Sequence, residues 1–152
     1  VQAAKAKGAH VTVTCSANNS KLARDLGADE VFGYSGDNTI GPGIQFDAIL
    51  DAWGMMKHKE IYRLLKPDGI YASPLYMPWT IFPALWIRIR YGRKITSSNI
   101  RKRPEDYDEL EALIEKKKLK PVIENRFPLE KSSEAFDKAE FGKPRGKVII
   151  TV

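Results

Sequence analysis

Valine alternates with threonine over Val11, Thr12, Val13 and Thr14, a β-branched run that suits a pleated surface and resists a helix. Turn and cap formers follow in Ser16-Ala17-Asn18-Asn19-Ser20. Leu22, Ala23 and Leu26 then fall on one helical face, and Gly27 stands where a left-handed cap belongs. Val31 and Phe32 open a second strand. From Ala9 to Tyr34 the pattern predicts strand, polar loop, helix and strand, half of a βαβ crossover.

The same alternation continues. After the Gly/Pro-rich loop SGDNTIGPG, residues Phe46 to Asp51 read as a buried strand ending in Ala52-Trp53-Gly54. Lys57 to Leu65 reads as a helix with Ile61, Leu64 and Leu65 inward, closed by the turn Lys66-Pro67-Asp68-Gly69, and Ile70-Tyr71-Ala72 starts another strand. Trp79, Phe82, Trp86 and Ile89 recur at helical spacing, and Lys94 to Asn99 reads as a short strand. Pro104 takes the first position of a helix whose apolar stripe is Leu110, Leu113 and Ile114, with Lys116 to Lys118 in its last turn and Pro121 as its stop. An extended segment from Val122 to Leu129, a helix carrying Ala135, Phe136 and Ala139, and a strand from Lys147 to Val152 complete the chain. Strand and helix in alternation predict an α/β fold with a parallel sheet between helices.

Composition narrows the function. The 152 residues are 43% apolar and 29% charged, enough for one packed domain, and the net charge is a mild +6. Arg88, Arg90, Arg93, Lys94, Arg101, Lys102 and Arg103 occur without an intervening acid. Such a run is first a solvated face, then a site for phosphate-bearing ligands, and last a nucleic-acid surface; no nucleic-acid motif accompanies it. Ile70 to Ile87 is uncharged, but Pro74, Pro78 and Pro83 interrupt it and argue against a continuous membrane span. The aromatic helical stripe predicts a core or subunit contact, so a homodimer is an open expectation.

Cys15 is the single cysteine, which excludes a disulfide framework and a thiolate zinc cage within the chain and makes a reducing, cytoplasmic setting the default expectation. At the end of an apolar strand it reads as a buried, inert thiol. His10 and His58 have no partners at ligand spacing. Tyr62 and Lys66 meet the YxxxK spacing of short-chain dehydrogenases, a match any helix with Tyr and Lys four apart produces. VQAAKAKG begins in mid-helix without a cap, from which an upstream segment is expected.

Together, VTVTCS, LGADEVFGY, FDAILDAWG, LLKPDG and the run KPVIENRFPLEKSSEAFDKAEFGKPRGKVIITV resemble the cofactor-binding half of the medium-chain dehydrogenase/reductases, in their zinc-free, quinone-oxidoreductase-like branch. The resemblance covers essentially the whole chain. It implies a Rossmann-like doubly wound parallel sheet over residues 1–120 and, over 121–152, strands that return to a GroES-like substrate domain. It also implies that the first strand and its Gly-rich phosphate loop precede Val1, leaving two half-sheets without their common neighbour in the order 3-2-1-4-5-6. Such a piece would bind NADPH weakly or not at all by itself.

The resemblance further implies an oxidoreductase that takes a small-molecule acceptor, a quinone or an activated alkene, and uses NADPH. Ser16 stands where an Asp or Glu would hold the ribose hydroxyls of NAD; an uncharged hydroxyl there favours NADPH over NADH. Asn19 replaces a lysine that many relatives place against the 2′-phosphate, Lys21 two residues on could reach back but reads first as a helix-surface lysine, and Tyr34 matches a tyrosine meeting the same phosphate. Trp53 and Gly54, with Ala52, would face the adenine and its ribose; Trp53 either stacks on the base or fills a core pocket. Asn99 and Arg101 would approach the nicotinamide end, and Lys143 and Arg145 the cofactor from its other side. No zinc and no protein nucleophile are implied. The alternatives are a non-catalytic NAD(P)H-binding or sensing module, and a methyltransferase-like Rossmann domain, which would want an acid where Ser16 stands.

Overall fold

The computed structural model describes residues 1–34, 36–54, 56–74, 94–97 and 103–152, without the side chains of His58 and Ser97. The aromatic stripe Trp79, Phe82, Trp86 and Ile89, and Asn99 and Arg101, lie outside them. In chain order the elements are α1 (Gln2–Ala6), β1 (Thr12–Thr14), α2 (Ala17–Asp25), β2 (Glu30–Phe32), β3 (Phe46–Leu50), α3 (His58–Leu64), β4 (Leu65–Ser73), β5 (Lys94–Ser97), α4 (Pro104–Glu115), β6 (Ile123–Pro128), α5 (Ser132–Glu140) and β7 (Lys147–Thr151). The chain divides into two units, Val1–Thr39 with Arg103–Val152, and Ile40–Lys102.

In the first unit β1 and β2 pair in parallel, Val13 opposite Val31, with α2 as the crossover. Ala23 of α2 packs on Cys15 and Val31, with Val13 and Ala28 at the margin. Gly27 caps the helix at φ +94°, as the pattern predicts, because a left-handed residue turns the chain at no cost from a Cβ. Asp29 pins the start of β1: it accepts the Val11 N–H at 2.6 Å and pairs with the Lys5 ammonium at 2.8 Å. The Lys5 hydrogen bond, then that of Val11, holds its carboxyl below the usual carboxylate range.

Pro104 opens α4, with Glu105 and Asp106 in its first turn. Two details of this helix differ from expectation. Lys116 to Lys118 follow its last residue instead of completing its last turn, and Lys117 turns left-handed at φ +55°. Leu110 and Ile114 are exposed, and only Leu113 is half-buried. Polar contacts hold the helix: Lys7 pairs with Glu109, and the Gln2 amide brackets the backbone of Lys120, donating to its carbonyl and accepting from its N–H.

β6, α5 and β7 form a second parallel crossover, Phe127 opposite Ile150. The strands that the resemblance assigns to another domain thus pair with each other. Ala135 is buried on α5, whereas Phe136 and Ala139 face outward.

The second unit is a parallel sheet of order β3-β4-β5. Ile61 of α3 packs on Leu65 and Tyr71 of β4, with Ile49, Met56 and Ile95 around them. Ile61, Leu64 and Leu65 are buried as the pattern predicts, although Leu65 already belongs to the strand. The expected Lys66 to Gly69 turn is absorbed into that strand. Pairing jumps from Phe46 opposite Leu65 to Ala48 opposite Ile70, Asp68 adopts φ +62°, and a Cβ on Gly69 would meet Leu65 Cδ1 at 2.8 Å. Contrary to expectation β3 is not a buried strand, since Leu50 is 73% exposed. Among the described residues β1 pairs only with β2, and β3 only with β4.

Candidate functional site

The C-terminal ends of β1 and β2 border a concavity of about 310 Å³ lined by Cys15, Ser16, Ser20, Gly33, Tyr34 and Asn38 among others. Local chemistry shapes it. Ser16 keeps an extended backbone and caps α2, but its hydroxyl makes no cap hydrogen bond. Its carbonyl instead accepts from the Asn19 N–H at 2.9 Å and the Ser20 hydroxyl at 3.4 Å. After β2 the chain turns back: the Gly33 N–H donates to the Asn38 carbonyl at 2.6 Å, and Asn38 Nδ2 to that of Val31 at 3.4 Å. Cys15 forms the floor, buried as predicted, its Sγ 4.0 Å from Ser20 Oγ. Tyr34 is largely exposed at the rim. Among the described residues no acidic side chain lines this space, and it lies at the N-terminus of α2, where free N–H groups and the helix dipole favour an anion.

The structure therefore brings Ser16 and Tyr34 together. Asn19 is not among the lining residues, and Lys21 pairs with Asp25 at 2.8 Å instead of reaching back. Lys143 and Arg145 do not line the concavity either. They occupy the loop before β7, which Glu124 holds: its carboxylate accepts the N–H groups of Arg145 and Gly146 and pairs with the Lys138 ammonium at 3.2 Å. The Arg145 N–H and then Lys138 keep that carboxyl below its usual range. Lys143 and Arg145 are exposed, so this loop offers two cations on a fixed backbone.

In the other unit, the end of β3 is organised by Asp51. Its Oδ1 accepts the N–H groups of Trp53 at 3.1 Å and Gly54 at 2.9 Å; its Oδ2 accepts the Met56 N–H at 2.9 Å and the Tyr71 hydroxyl at 2.8 Å. Desolvation works against the charge of Asp51, but the N–H of Met56, the Tyr71 hydroxyl and the other two N–H groups hold its carboxyl below the ordinary value. Gly54 adopts φ +63°. Trp53 is 74% exposed, so of the two roles open to it the filling of a core pocket is not the one adopted.

Tyr62 and Lys66 form no helical pair, since Lys66 lies in β4 and its ammonium binds Asp47 at 2.9 Å. Among the described residues no three His, Cys, Asp or Glu side chains are placed to hold a metal ion.

Sequence reasoning missed Asp51, Tyr71, Asn38 and Glu124. Asp51 carried a signal, an Asp three residues before a Gly at a strand end, the pattern of a side chain that caps its own turn. The partners Tyr71 and Glu124 act across 20 and 21 residues of chain, and no local pattern announces them.

A family model described as zinc-binding dehydrogenase matches residues 26–150. A curated relative, "NAD(P)H oxidoreductase RTN4IP1, mitochondrial" of Danio rerio, is 32% identical over 100% of the chain and 45% of its own length. "Quinone-oxidoreductase homolog, chloroplastic" of Spinacia oleracea is 30% identical over 99% and 47%. The solved quinone oxidoreductase from Coxiella burnetii superposes with a TM-score of 0.78 at 26% identity, over 100% of the chain and 48% of that structure. An NAD-dependent alcohol dehydrogenase, with a TM-score of 0.74 at 24% identity over 99% and 46%, shares the fold. The chain spans about half the length of the curated relatives it matches, and its fold is the Rossmann-like α/β arrangement of these enzymes.

Proposed function

The chain belongs to the zinc-binding dehydrogenase family, in the quinone-oxidoreductase-like branch of the medium-chain dehydrogenase/reductases, and on that premise we propose that it is the NADPH-binding part of an oxidoreductase acting on quinones or activated alkenes. The observation that carries this reading is the concavity at the start of α2, where an uncommitted Ser16 hydroxyl and the Tyr34 phenol meet without a carboxylate. Ser16 and the first N–H groups of α2 would donate to a 2′-phosphate, with Tyr34 at the rim. An acid in place of Ser16 would repel that phosphate. Lys143 and Arg145 would add cationic donors on the loop that Glu124 holds. When bound, the cofactor supplies the hydride; the residues of this chain bind and orient it, and require no protein nucleophile.

Titration of the full-length protein with NADPH and with NADH, followed by nicotinamide fluorescence, tests the reading. Tighter binding of NADPH supports it. Equal affinities, or tighter NADH, overturn the cofactor preference, and absence of binding by both overturns the reading itself.

A further inference from the structure

We propose that the outward face of α4 is a docking surface for α4 of a second copy of this chain, the two helices packing antiparallel about a two-fold axis. The proposal is independent of the cofactor reading and adds an interaction surface to it.

Successive residues turn about 100° around an α-helix, which separates α4 into two faces. The Lys7 ammonium meets Glu109, and Ala112 and Leu113 are half-buried, so these three mark the side turned to the rest of the first unit. Tyr107, Leu110 and Ile114 stand at i, i+3 and i+7, form one stripe and lie on the other side, 59%, 44% and 46% exposed. Three large apolar side chains in a row toward solvent favour a partner that covers them.

The charges select the partner. Glu105 and Asp106 lie in the first turn of α4, and Lys116, Lys117 and Lys118 follow its last residue. All five are exposed, and none forms an ion pair among the described residues. The lysines do not hang on a loose tail: their N–H groups donate to the carbonyls of Ala112, Ile114 and Leu113 at 3.1, 2.9 and 2.9 Å. One end of the stripe is therefore acidic, even with Arg103 before it, and the other basic. A second α4 laid antiparallel sets each acidic end against the partner's lysines, Tyr107 against the partner's Ile114, and Leu110 against its own copy. A parallel pairing would set acid on acid and lysine on lysine, with the helix dipoles aligned. The antiparallel contact is isologous and closes on itself. Glu111, beside Leu110, meets its own copy near the axis, which holds the affinity down. A helix of 12 residues also covers far less than the roughly 1,600 Å² of a standard interface, so the association is weak and reversible, in the micromolar range.

Sedimentation equilibrium of the full-length protein at low salt, from low to high micromolar concentration, reads the association. Wild type is expected to double its mass reversibly, and Leu110→Asp to weaken that step at least about tenfold. Reversing the acidic end, Glu105→Lys with Asp106→Lys, or the basic end, Lys116→Glu with Lys117→Glu, is expected to weaken it severalfold. Mixing the two reversed proteins is expected to restore it, since each then offers the other two complementary ends. Added salt should weaken the wild-type association and the mixed one alike. Thermal melting shows that each variant is folded. Should reversal of the first turn, where the dipole favours acids, unfold the protein, Glu105→Gln with Asp106→Asn replaces it, with a loss of about twofold expected and no loss overturning the role of that end. Wild type that keeps a single mass over the whole range overturns the proposal. So does an association that neither Leu110→Asp nor the reversals weaken, which lies on another surface, and so do reversed proteins that stay apart when mixed. None of these measurements uses a nucleotide, so failure of the cofactor reading leaves them unaffected.

Discussion

Two strand ends in this molecule do opposite things with the same chemistry. At the end of β1 the Ser16 hydroxyl is left without a cap bond, above a core of the small side chains Cys15, Ala23 and Val31. At the end of β3 the Asp51 carboxylate is filled by four donors, above a core of Ile61, Leu65 and Tyr71. Both lie at the C-terminal ends of parallel strands, where α/β proteins place their ligands. The difference teaches that donors held in reserve make an opening for a ligand, whereas a saturated polar group makes a support. The first corner keeps a hydroxyl free; the second braces the loop that carries Trp53.

The sharpest way to break this contrast is through the two cores. Leu65 is fully buried, so Leu65→Ala should cost about 2–5 kcal/mol in urea denaturation. Val31→Ala removes fewer atoms from a smaller cluster and should cost roughly 1–3 kcal/mol. Equal losses would mean that the two ends are supported alike.

Ser16→Asp probes the open end directly. It should weaken NADPH by more than about tenfold, since a carboxylate then faces the phosphate, and leave NADH little changed in the same titration. The same substitution should raise the denaturation midpoint slightly, because the wild-type hydroxyl caps nothing and an N-cap carboxylate can accept the free N–H groups of α2.

Gly54→Ala strains the closed end. A left-handed residue with a Cβ costs about 1 kcal/mol, and thermal melting should show a loss of that order.

Acid provides the smallest and most gradual distinction. The carboxyl of Asp51 titrates below its ordinary value when folded, so the unfolded chain binds its proton first as pH falls. Its stabilising contribution is therefore complete above about pH 4 and is lost as pH drops through the lowered native value. Urea midpoints measured from pH 5 to pH 3 should decline, and Asp51→Asn should flatten part of that decline. Asp29, Asp47 and Glu124, which are lowered for similar reasons, sustain the remainder.

Much of the fold was legible because its signals are local. The Val11 to Thr14 alternation, the Ser16 cap and Gly27 placed β1, α2 and β2 to within a residue or two, and Pro104 marked the start of α4. Burial was less legible. Phe136 and Ile114 sit at helical core spacing yet face outward, because a stripe states which residues share a face but not whether anything covers it. In the candidate site, Ser16 and Tyr34 were each readable from their place at a strand end and meet in one concavity. Asn19 and Lys21 lie next to Ser16 in sequence but do not line that space, and the ammonium of Lys21 is taken by Asp25.

Sequence alone determined the alternation of strand and helix, the parallel α/β class and the uncharged residue after β1, since each depends on neighbours a few positions apart. Tertiary structure alone decided that Asp51 is spoken for by Tyr71, that Glu124 braces the loop of Arg145, and that Trp53 stands in the open. Those outcomes depend on which groups, distant along the chain, arrive close enough to share a proton or exclude water, and that is settled only when the strands pair.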